Sequence, residues 1–255
     1  MPETSHMSKE ELAKKLLEEL APLSWTERLK RLSQYTDRTS AFSTSFSFED
    51  QALTHAIAEH SLPIRVFTID TGRLFAETYE TFQKTRDTYF GIEIATYAPD
   101  TQSLERMINR QGVNGFYESV EKRKACCFVR KVEPLNRALQ GVDLWVSGLR
   151  REHSNNRADL PVVEYDAGRD LIKVYPLVDL SEEDVKSYIQ NHAIPYNPLH
   201  DKGFPSIGCA PCTRAVAPGE HPRSGRWWWE QENEQECGLH IKDGKLVRIK
   251  QTADA

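Results

Sequence analysis

The sequence has 255 residues, of which 39% are hydrophobic and 28% charged, and its formal net charge is −5. The apolar content is that of a folded globular protein, and at ~150 residues per domain the length fits one large domain or two small ones. The negative charge excludes a basic surface over the whole molecule, so nucleic acid is not an expected partner. No run of ~18 apolar residues occurs, which excludes a transmembrane helix and a membrane partner.

The N-terminus carries no secretory signal pattern, so the expected compartment is the cytoplasm. Residues 1–7 are either native or a cloning remnant and carry no weight in the fold prediction. Cytoplasmic cysteines serve more often as metal ligands, catalytic groups or core residues than as disulfides. The five cysteines of this sequence are therefore candidates for chemistry.

Hydrophobic periodicity predicts alternating helices and strands in the first half of the chain. In chain order they are helices over 9–20 and around 25–32, a strand within 39–48, a helix over 50–60, a strand over 64–69, a helix containing Phe75, Tyr79, Phe82 and Phe90, a strand over 92–97 and a helix near 104–110.

The second half continues the pattern as far as about residue 191. Residues 118–139 are predicted to be mostly helical, and strands are predicted over 144–147 and 171–174. A capping box beginning at Ser181 opens a further helix. Strands that alternate with helices predict an α/β fold with a doubly wound, mostly parallel sheet.

Ligands of such sheets bind beyond the carboxyl ends of the strands. Residues 43–47, 70–73 and 148–151 each follow or end a predicted strand. We therefore expect these three segments to surround one crevice.

The cysteines occur as two pairs and one single residue. Cys126 and Cys127 are adjacent, Cys209 and Cys212 form a C-x-x-C motif, and Cys237 stands alone. A lone cysteine is more often a buried core residue than a ligand, whereas two pairs favour a shared metal site.

The adjacent pair favours an iron–sulfur cluster over a single zinc ion. Zinc holds its sulfurs at ~2.3 Å, and neighbouring residues on a helix diverge by ~100°, so both rarely reach one atom. A cluster offers each cysteine a separate iron. Zinc stays an alternative, and a redox dithiol would leave the adjacent pair unexplained.

Four motifs follow one another in the second half of the chain. They are Lys-Ala-Cys-Cys-Phe-Val-Arg-Lys at 124–131, Gly-Cys-Ala-Pro-Cys-Thr at 208–213, Arg-Ser-Gly-Arg-Trp-Trp-Trp at 223–229 and Glu-Cys-Gly-Leu-His at 236–240. Together they resemble the bacterial iron–sulfur type of assimilatory adenylyl-sulfate reductase. The resemblance extends from the strand around residue 42 to residue 240, and the ordered set is far more specific than a lone C-x-x-C motif.

The resemblance implies a nucleophile, a cofactor and a reductant. Cys237 matches the catalytic cysteine, and thioredoxin, expected as a separate protein, would be the reductant. Adenylyl sulfate would be converted to sulfite and AMP in sulfate assimilation and cysteine biosynthesis. One 4Fe-4S cluster would be held by Cys126, Cys127, Cys209 and Cys212. The phosphosulfate group would bind Lys131, Arg223, Arg226 and His240.

Lys131 follows Cys127 by four positions, which is about one helical turn, so we expect both side chains on one face. The acidic stretch 230–236 is typical of a mobile tail that opens and closes. The three tryptophans 227–229 are expected to pack the C-terminal segment against the domain.

The nucleotide end resembles the wider ATP-pyrophosphatase-like (adenine nucleotide α-hydrolase-like) superfamily, in which a Ser- and Gly-rich loop binds phosphates. The corresponding loop 43–50 contains no glycine, which fits a substrate with one nucleotide phosphate better than ATP. The resemblance implies substrate contacts from Ser45, Ser47, Thr71, Gly72, Arg73, Gly148 and Arg151. The expected organisation is an N-terminal helical segment over 1–36, a nucleotide-binding α/β domain over 37–205, and a C-terminal cysteine-bearing segment of the same domain over 206–255.

Three other functions fit parts of the pattern. A 3′-phosphoadenylyl-sulfate reductase or a dual-specificity enzyme shares the scaffold, but members that depend on that substrate generally lack both cysteine pairs. A tRNA-thiolating or adenylating enzyme is disfavoured by the missing glycines and the acidic charge. A non-enzymatic iron or redox sensor would not require Cys237. A homo-oligomer is compatible with the sequence.

Overall fold

A six-stranded sheet organises the chain, which the computed structural model describes over residues 7–153 and 159–230. Its strand order is β3-β2-β1-β4-β6-β5, and every pair is parallel except β5 with β6. The strands are β1 (Ser40–Thr44), β2 (Arg65–Ile69), β3 (Ile94–Tyr97), β4 (Leu144–Val146), β5 (Val163–Asp166) and β6 (Leu171–Val174). The predicted doubly wound, mostly parallel α/β fold is confirmed.

The predicted helices are also present. They are α1 (Lys9–Leu20), α2 (Trp25–Leu32), α3 (Phe48–Glu59), α4 (Ala76–Thr88), α5 (Thr101–Gln111), α6 (Val120–Cys127), α7 (Glu133–Ala138) and α8 (Glu182–Asn191). The capping box predicted at Ser181 forms, with Asp184 in the reciprocal position. No helix in the described ranges has the length and apolar character needed to cross a bilayer.

Two elements differ from the sequence prediction. Strand β5 was not predicted, because its residues Val-Glu-Tyr-Asp carry a weak apolar signal and its pairing with β6 depends on a turn. Between α6 and α7 the helix widens into a π-helical stretch at Phe128–Val132. Hydrophobic periodicity cannot distinguish such a local widening from an α-helix, and π-bulges occur mostly at functional sites.

The largest core cluster joins the N-terminal helices to the sheet. Leu12, Leu16 and Leu29 are fully buried in one cluster with Phe42 and Val146. The central parallel strands are covered on both faces, because Phe42 and Val146 belong to this cluster while their neighbours Ala41 and Trp145 belong to a second one. Residues of α1 and α2 therefore stabilise the same core that supports the strands of the crevice.

The connectivity reverses between β1 and β4. Strands β2 and β3 continue the sheet on one side of this pair, and β6 and β5 continue it on the other. In open α/β sheets the ligand crevice lies at this switch point, beyond the carboxyl ends of the strands.

Candidate active site

A cleft of about 660 Å³ opens at the carboxyl ends of the central strands. It is bordered by loop 43–50 after β1, by residues after β2 and β4, and by the segment 203–226. Of the residues predicted to bind substrate, the structure brings seven to its walls: Ser45, Ser47, Thr71, Lys131, Gly148, Arg223 and Arg226.

The loop 43–50 contains no glycine, yet one of its residues adopts a backbone conformation that usually requires glycine. Phe46 adopts a left-handed backbone (φ +61°), a conformation that costs a non-glycine residue roughly 1–2 kcal/mol. Its ring is buried and stacks on Phe82 at 4.9 Å between centroids. Core packing of this ring therefore compensates for the strain and holds the loop in shape.

A carboxylate of the protein itself occupies the inside of this loop. Asp50 accepts hydrogen bonds from the Ser45 amide and the Ser45 hydroxyl, each at 2.6 Å. Burial raises the pKa of Asp50 to about 6. The hydrogen-bond donors of Ser45 are therefore committed to an internal carboxylate.

Gly148 is required at its position by close packing. A Cβ there would lie 2.5 Å from Asp50 Oδ1 and 3.0 Å from Glu49 Cβ. The strand-to-helix loop after β4 can therefore approach the loop after β1 only through a glycine.

Three predicted contacts lie outside the cleft walls. Arg151 donates to the Leu160 carbonyl at 3.0 Å, and Gly72 donates its amide to Asp70 at 2.8 Å. Arg73 donates to the Val113 carbonyl at 2.7 Å and lines the cysteine cavity described below.

Sequence reasoning missed Arg150, which lines the cleft next to the predicted Arg151. Its guanidinium is buried and pairs with Glu49 and Glu152, each at 2.9 Å. The motif Gly-Leu-Arg-Arg contains both arginines, and the sequence alone does not indicate which of the two side chains points into the cleft. The cleft wall after β4 thus contains an arginine whose charge is already compensated by two carboxylates.

The opposite end of the cleft is cationic. Lys131 and Arg226 lie there, and Arg223 also lines the cleft. Arg226 packs against the backbone at Gly208, where a Cβ would lie 2.4 Å from its Nη2, and Gly208 directly precedes Cys209. The cations and the C-x-x-C motif therefore share one wall.

The two cysteine pairs, distant in sequence, meet in one small cavity. Cys126 and Cys127 end α6, and Cys209 and Cys212 flank a short 3₁₀ turn. All four are free thiols. The cavity is lined by Arg73, Phe116, Arg123, Cys126, Cys127, Arg130, Lys131, Cys209, Pro211 and Cys212.

Two residues connect the cysteine cavity to the cleft. Lys131 lines both, although it sits in the π-helical stretch rather than one α-helical turn after Cys127. Thr71 lines the cleft and its hydroxyl lies 3.3 Å from Cys209 Sγ, within hydrogen-bonding distance. Lys131 and Thr71 thus lie between the cleft and the cysteine cavity.

Burial suppresses the ionisation of the cavity thiols. The pKa of Cys212 is raised to about 12 and that of Cys126 is also raised, in both cases chiefly by burial. Thiols in this environment are neutral unless a metal centre replaces their protons.

The residues of the cysteine cavity distinguish between a single metal ion and a cluster. Among the described side chains, no group of three or more His, Cys, Asp or Glu converges as the ligands of a single ion do. The thiols surround a cavity with several cations, and the buried Arg130 Nε has no hydrogen-bond partner within the described ranges. Separated thiols, nearby cations and a free N–H donor fit an anionic cluster with several metal corners.

The aromatic segment packs only in part as predicted. Trp227 is buried in an apolar cluster with Phe116, Cys209 and Cys212, whereas Trp228 is 41% exposed. Cys237 and His240, the predicted nucleophile and a predicted phosphosulfate contact, lie outside the described residues.

Comparison with known proteins is consistent with this geometry. Residues 39–215 match the family described as "Phosphoadenosine phosphosulfate reductase domain". The chain is 49% identical over 222 residues to adenosine 5′-phosphosulfate reductase of Agrobacterium fabrum, covering 87% of this chain and 85% of that protein. It is 52% identical over 202 residues to the enzyme of the same name from Allochromatium vinosum, covering 79% of this chain and 78% of that protein.

Solved structures show the same fold. Phosphoadenylyl-sulfate reductase of Candida auris, in a phosphate complex, aligns with a TM-score of 0.68 and 29% identity over 80% of this chain and 96% of that one. Yeast FAD synthetase aligns with a TM-score of 0.52 at 14% identity, covering 81% of this chain and 74% of that one. The second likeness concerns the fold alone.

Proposed function

The chain belongs to the phosphoadenosine phosphosulfate reductase domain family, and we propose that it reduces adenylyl sulfate to sulfite and AMP, with thioredoxin as the electron donor. The observation that carries this proposal is the shared wall. A cleft at the nucleotide switch point ends in Lys131 and Arg226, directly beside a cavity of four cysteines. The relatives named adenosine 5′-phosphosulfate reductase support the choice of substrate.

The cationic end of the cleft suits the reacting group. Adenylyl sulfate carries a phosphate–sulfate anhydride whose electrophilic sulfur is surrounded by anionic oxygens. Lys131 and Arg226 would neutralise these oxygens and the charge that develops on the departing phosphate. An arginine offers a planar fork to oxyanions, and a lysine offers a point charge.

The reaction would proceed through a covalent intermediate. The thiolate of Cys237 attacks the sulfate sulfur, an S–S bond forms, and the S–O bond to phosphate breaks with its electron pair leaving on AMP. A thioredoxin thiolate then attacks the Cys237 sulfur and releases sulfite. The second thioredoxin thiol resolves the mixed disulfide, so the dithiol is oxidised as sulfur(VI) becomes sulfur(IV).

One 4Fe-4S cluster would be held by Cys126, Cys127, Cys209 and Cys212. When bound, it supplies a compact charged centre at the base of the cationic wall. Two protein residues lie next to it: the Thr71 hydroxyl is within hydrogen-bonding distance of Cys209, and Lys131 lines both the cleft and the cysteine cavity.

The internal carboxylates favour adenylyl sulfate over its 3′-phosphorylated analogue. Asp50 already occupies the donors of Ser45, and Glu49 and Glu152 compensate Arg150. Among the described residues in this part of the cleft, Arg150 and Lys186 are already paired with carboxylates, so a second phosphate would add negative charge beside them. Preference for the substrate without a 3′-phosphate follows from this arrangement.

A single-turnover experiment tests the proposal. Iron-loaded protein is incubated anaerobically with adenylyl sulfate in the absence of thioredoxin, and its mass is measured. We expect a gain of ~80 Da on Cys237 with one equivalent of AMP released, and sulfite release only after thioredoxin is added. Cys237→Ser should retain iron and a visible absorption band but show no adduct. An unmodified wild-type protein would overturn the function.

A further inference from the structure

The final described residues, 226–230, lie against the cysteine cavity, and we call them the C-terminal anchor. Trp227 is buried in the cluster that contains Cys209 and Cys212, and its amide lies 3.3 Å from the Cys212 carbonyl. Trp227 has a left-handed backbone (φ +46°), a conformation that a bulky residue keeps only when its surroundings hold it there. The anchor is therefore held in a strained conformation by its contacts.

One of these contacts is a buried ion pair. Arg123 Nε and Glu230 Oε1 lie 2.5 Å apart, and the two side chains are 1% and 3% exposed. Arg123 belongs to α6, three residues before Cys126, and lines the cysteine cavity together with Cys127. The pair therefore connects the helix that carries one cysteine pair to the end of the anchor.

Trp227 connects the Arg123–Glu230 ion pair to the cleft. The Arg123 guanidinium lies 4.5 Å from its ring centroid, and the Arg226 guanidinium lies 4.7 Å from it. Arg226 lines the cleft and Arg123 lines the cysteine cavity. The Glu230 amide donates a hydrogen bond to the Trp227 carbonyl at 2.8 Å, which holds the last described residue next to Trp227 and the two arginines.

We propose that Arg123 and Glu230 are a positioning pair, which fixes the point from which the chain continues toward Cys237. The inference rests on the proposed function, in which Cys237 is the nucleophile. Cys237 follows Glu230 by seven residues, so an extended link reaches at most ~25 Å from this point. The pair thereby sets the effective concentration of the Cys237 thiol at the cationic end of the cleft.

The pair also links the cysteine cavity to the start of the segment that leads to Cys237. Arg123 lines the cysteine cavity and pairs with Glu230, so we expect a change at the cavity to alter the start of the link to Cys237. Reacting atoms must approach to ~3–3.5 Å, and small displacements of this start point are therefore costly in rate.

The first test compares Glu230→Gln with Glu118→Gln in the iron-loaded full-length protein. Glu118 pairs with Lys122 on the exposed side of the same region, so it controls for the loss of one carboxylate. We expect Glu230→Gln to slow formation of the Cys237 adduct by at least ~10-fold at saturating adenylyl sulfate, with unchanged iron content and AMP affinity. Glu118→Gln should behave as the wild type.

Hydrogen exchange gives a readout that is independent of turnover. The Glu230 amide, bonded to Trp227, should exchange faster in Glu230→Gln, while amides of α3 stay as protected as in the wild type. Unchanged exchange at 227–230 together with a wild-type rate of sulfonation would overturn the proposal.

A double variant shows whether the ion pair positions the anchor or whether a single variant is slow only because it leaves one buried charge unpaired. Arg123→Met with Glu230→Leu removes both charges and often preserves folding, since apolar replacements of a buried pair are tolerated. If the pair positions the anchor, this variant binds AMP normally but sulfonates Cys237 slowly. Wild-type sulfonation in the double variant would overturn the inference while leaving the proposed function intact. Failure of the wild type to be sulfonated would instead overturn the proposed function.

Discussion

At the scale of single residues, the cleft contains charged groups whose neighbours determine what they can do. Asp50 is buried inside the loop after β1 and accepts two short hydrogen bonds from Ser45. Arg150 is buried between two carboxylates, whereas Lys131 faces both the cleft and the cysteine cavity. The sequence shows each of these residues only as one charged group, whereas their burial and partners in the structure give them different roles.

Asp50 makes stability depend on pH in a predictable direction. Burial raises its pKa in the folded protein to about 6, above the 3.8 of the unfolded chain. Its contribution to stability is therefore present at low pH and is lost as the pH rises through 6. The difference in unfolding free energy between wild type and Asp50→Asn should fall by about 2 kcal/mol from pH 4.5 to pH 7. Urea unfolding at both values measures it, and a difference independent of pH would contradict the prediction.

Lys131 is expected to act on the sulfonation step rather than on cofactor retention. Lys131→Ala removes a cation from the wall where charge develops, so single-turnover formation of the Cys237 adduct should slow by about 10²-fold or more. Iron content, measured colorimetrically, should stay near that of the wild type. Lys122→Ala, which alters an exposed pair on α6, is the matched control. Wild-type turnover in Lys131→Ala would remove this role.

At the scale of elements, the loop after β1 shows how a strained backbone can be compensated by core packing. Its left-handed residue is a phenylalanine, which the strand alternation identifies as apolar but not as conformationally unusual. The π-helical stretch after Cys127 is a second such case. Both deviations occur beside the site, where local geometry determines which backbone and side-chain groups face the substrate.

The strain at Phe46 predicts an inverted order of two substitutions. Phe46→Ala loses the buried ring and keeps the left-handed penalty, whereas Phe46→Gly loses the ring but relieves the penalty. We expect Phe46→Gly to be about 1 kcal/mol more stable than Phe46→Ala in urea unfolding. At Phe42, buried in the neighbouring strand, glycine should be the less stable of the two. If the glycine variant were less stable than the alanine variant at Phe46 as well as at Phe42, Phe46 would not be strained.

At the scale of the whole molecule, the cysteine site joins distant parts of the chain. It brings the end of α6 against residues 209–212 and, through Trp227, against the C-terminal anchor. A centre held by all four thiols would close these long loops and stabilise the fold by binding only the folded state.

Removal of iron should therefore lower the thermal stability of the whole protein. We expect chelation to reduce the unfolding midpoint by about 5–10 °C, with loss of the brown colour, because several kcal/mol of binding energy are withdrawn. Cys237→Ser should show the same iron-dependent shift, since in the proposed function the cluster is held by Cys126, Cys127, Cys209 and Cys212 and Cys237 is the nucleophile. Equal midpoints with and without iron, measured by calorimetry, would contradict a structural role for the centre.

Much of the fold was accessible from the sequence because apolar periodicity and capping are local. The exact bounds of α1 and β6 and the capping box at Ser181 follow from residues within one or two turns. Strand β5 could not be predicted from the sequence, because it has few apolar residues and forms by pairing with β6.

The sequence by itself determined the chemical inventory: two cysteine pairs, a single later cysteine, basic residues near them, and an alternation of strands and helices. Only the tertiary structure decided which of these meet. It brought Cys126 to Cys209, selected Arg150 rather than Arg151 for the cleft, and moved Arg73 to the cysteine cavity. The physical reason is that residue type and spacing act locally, whereas the direction of each side chain depends on strand order, backbone strain and packing between distant segments.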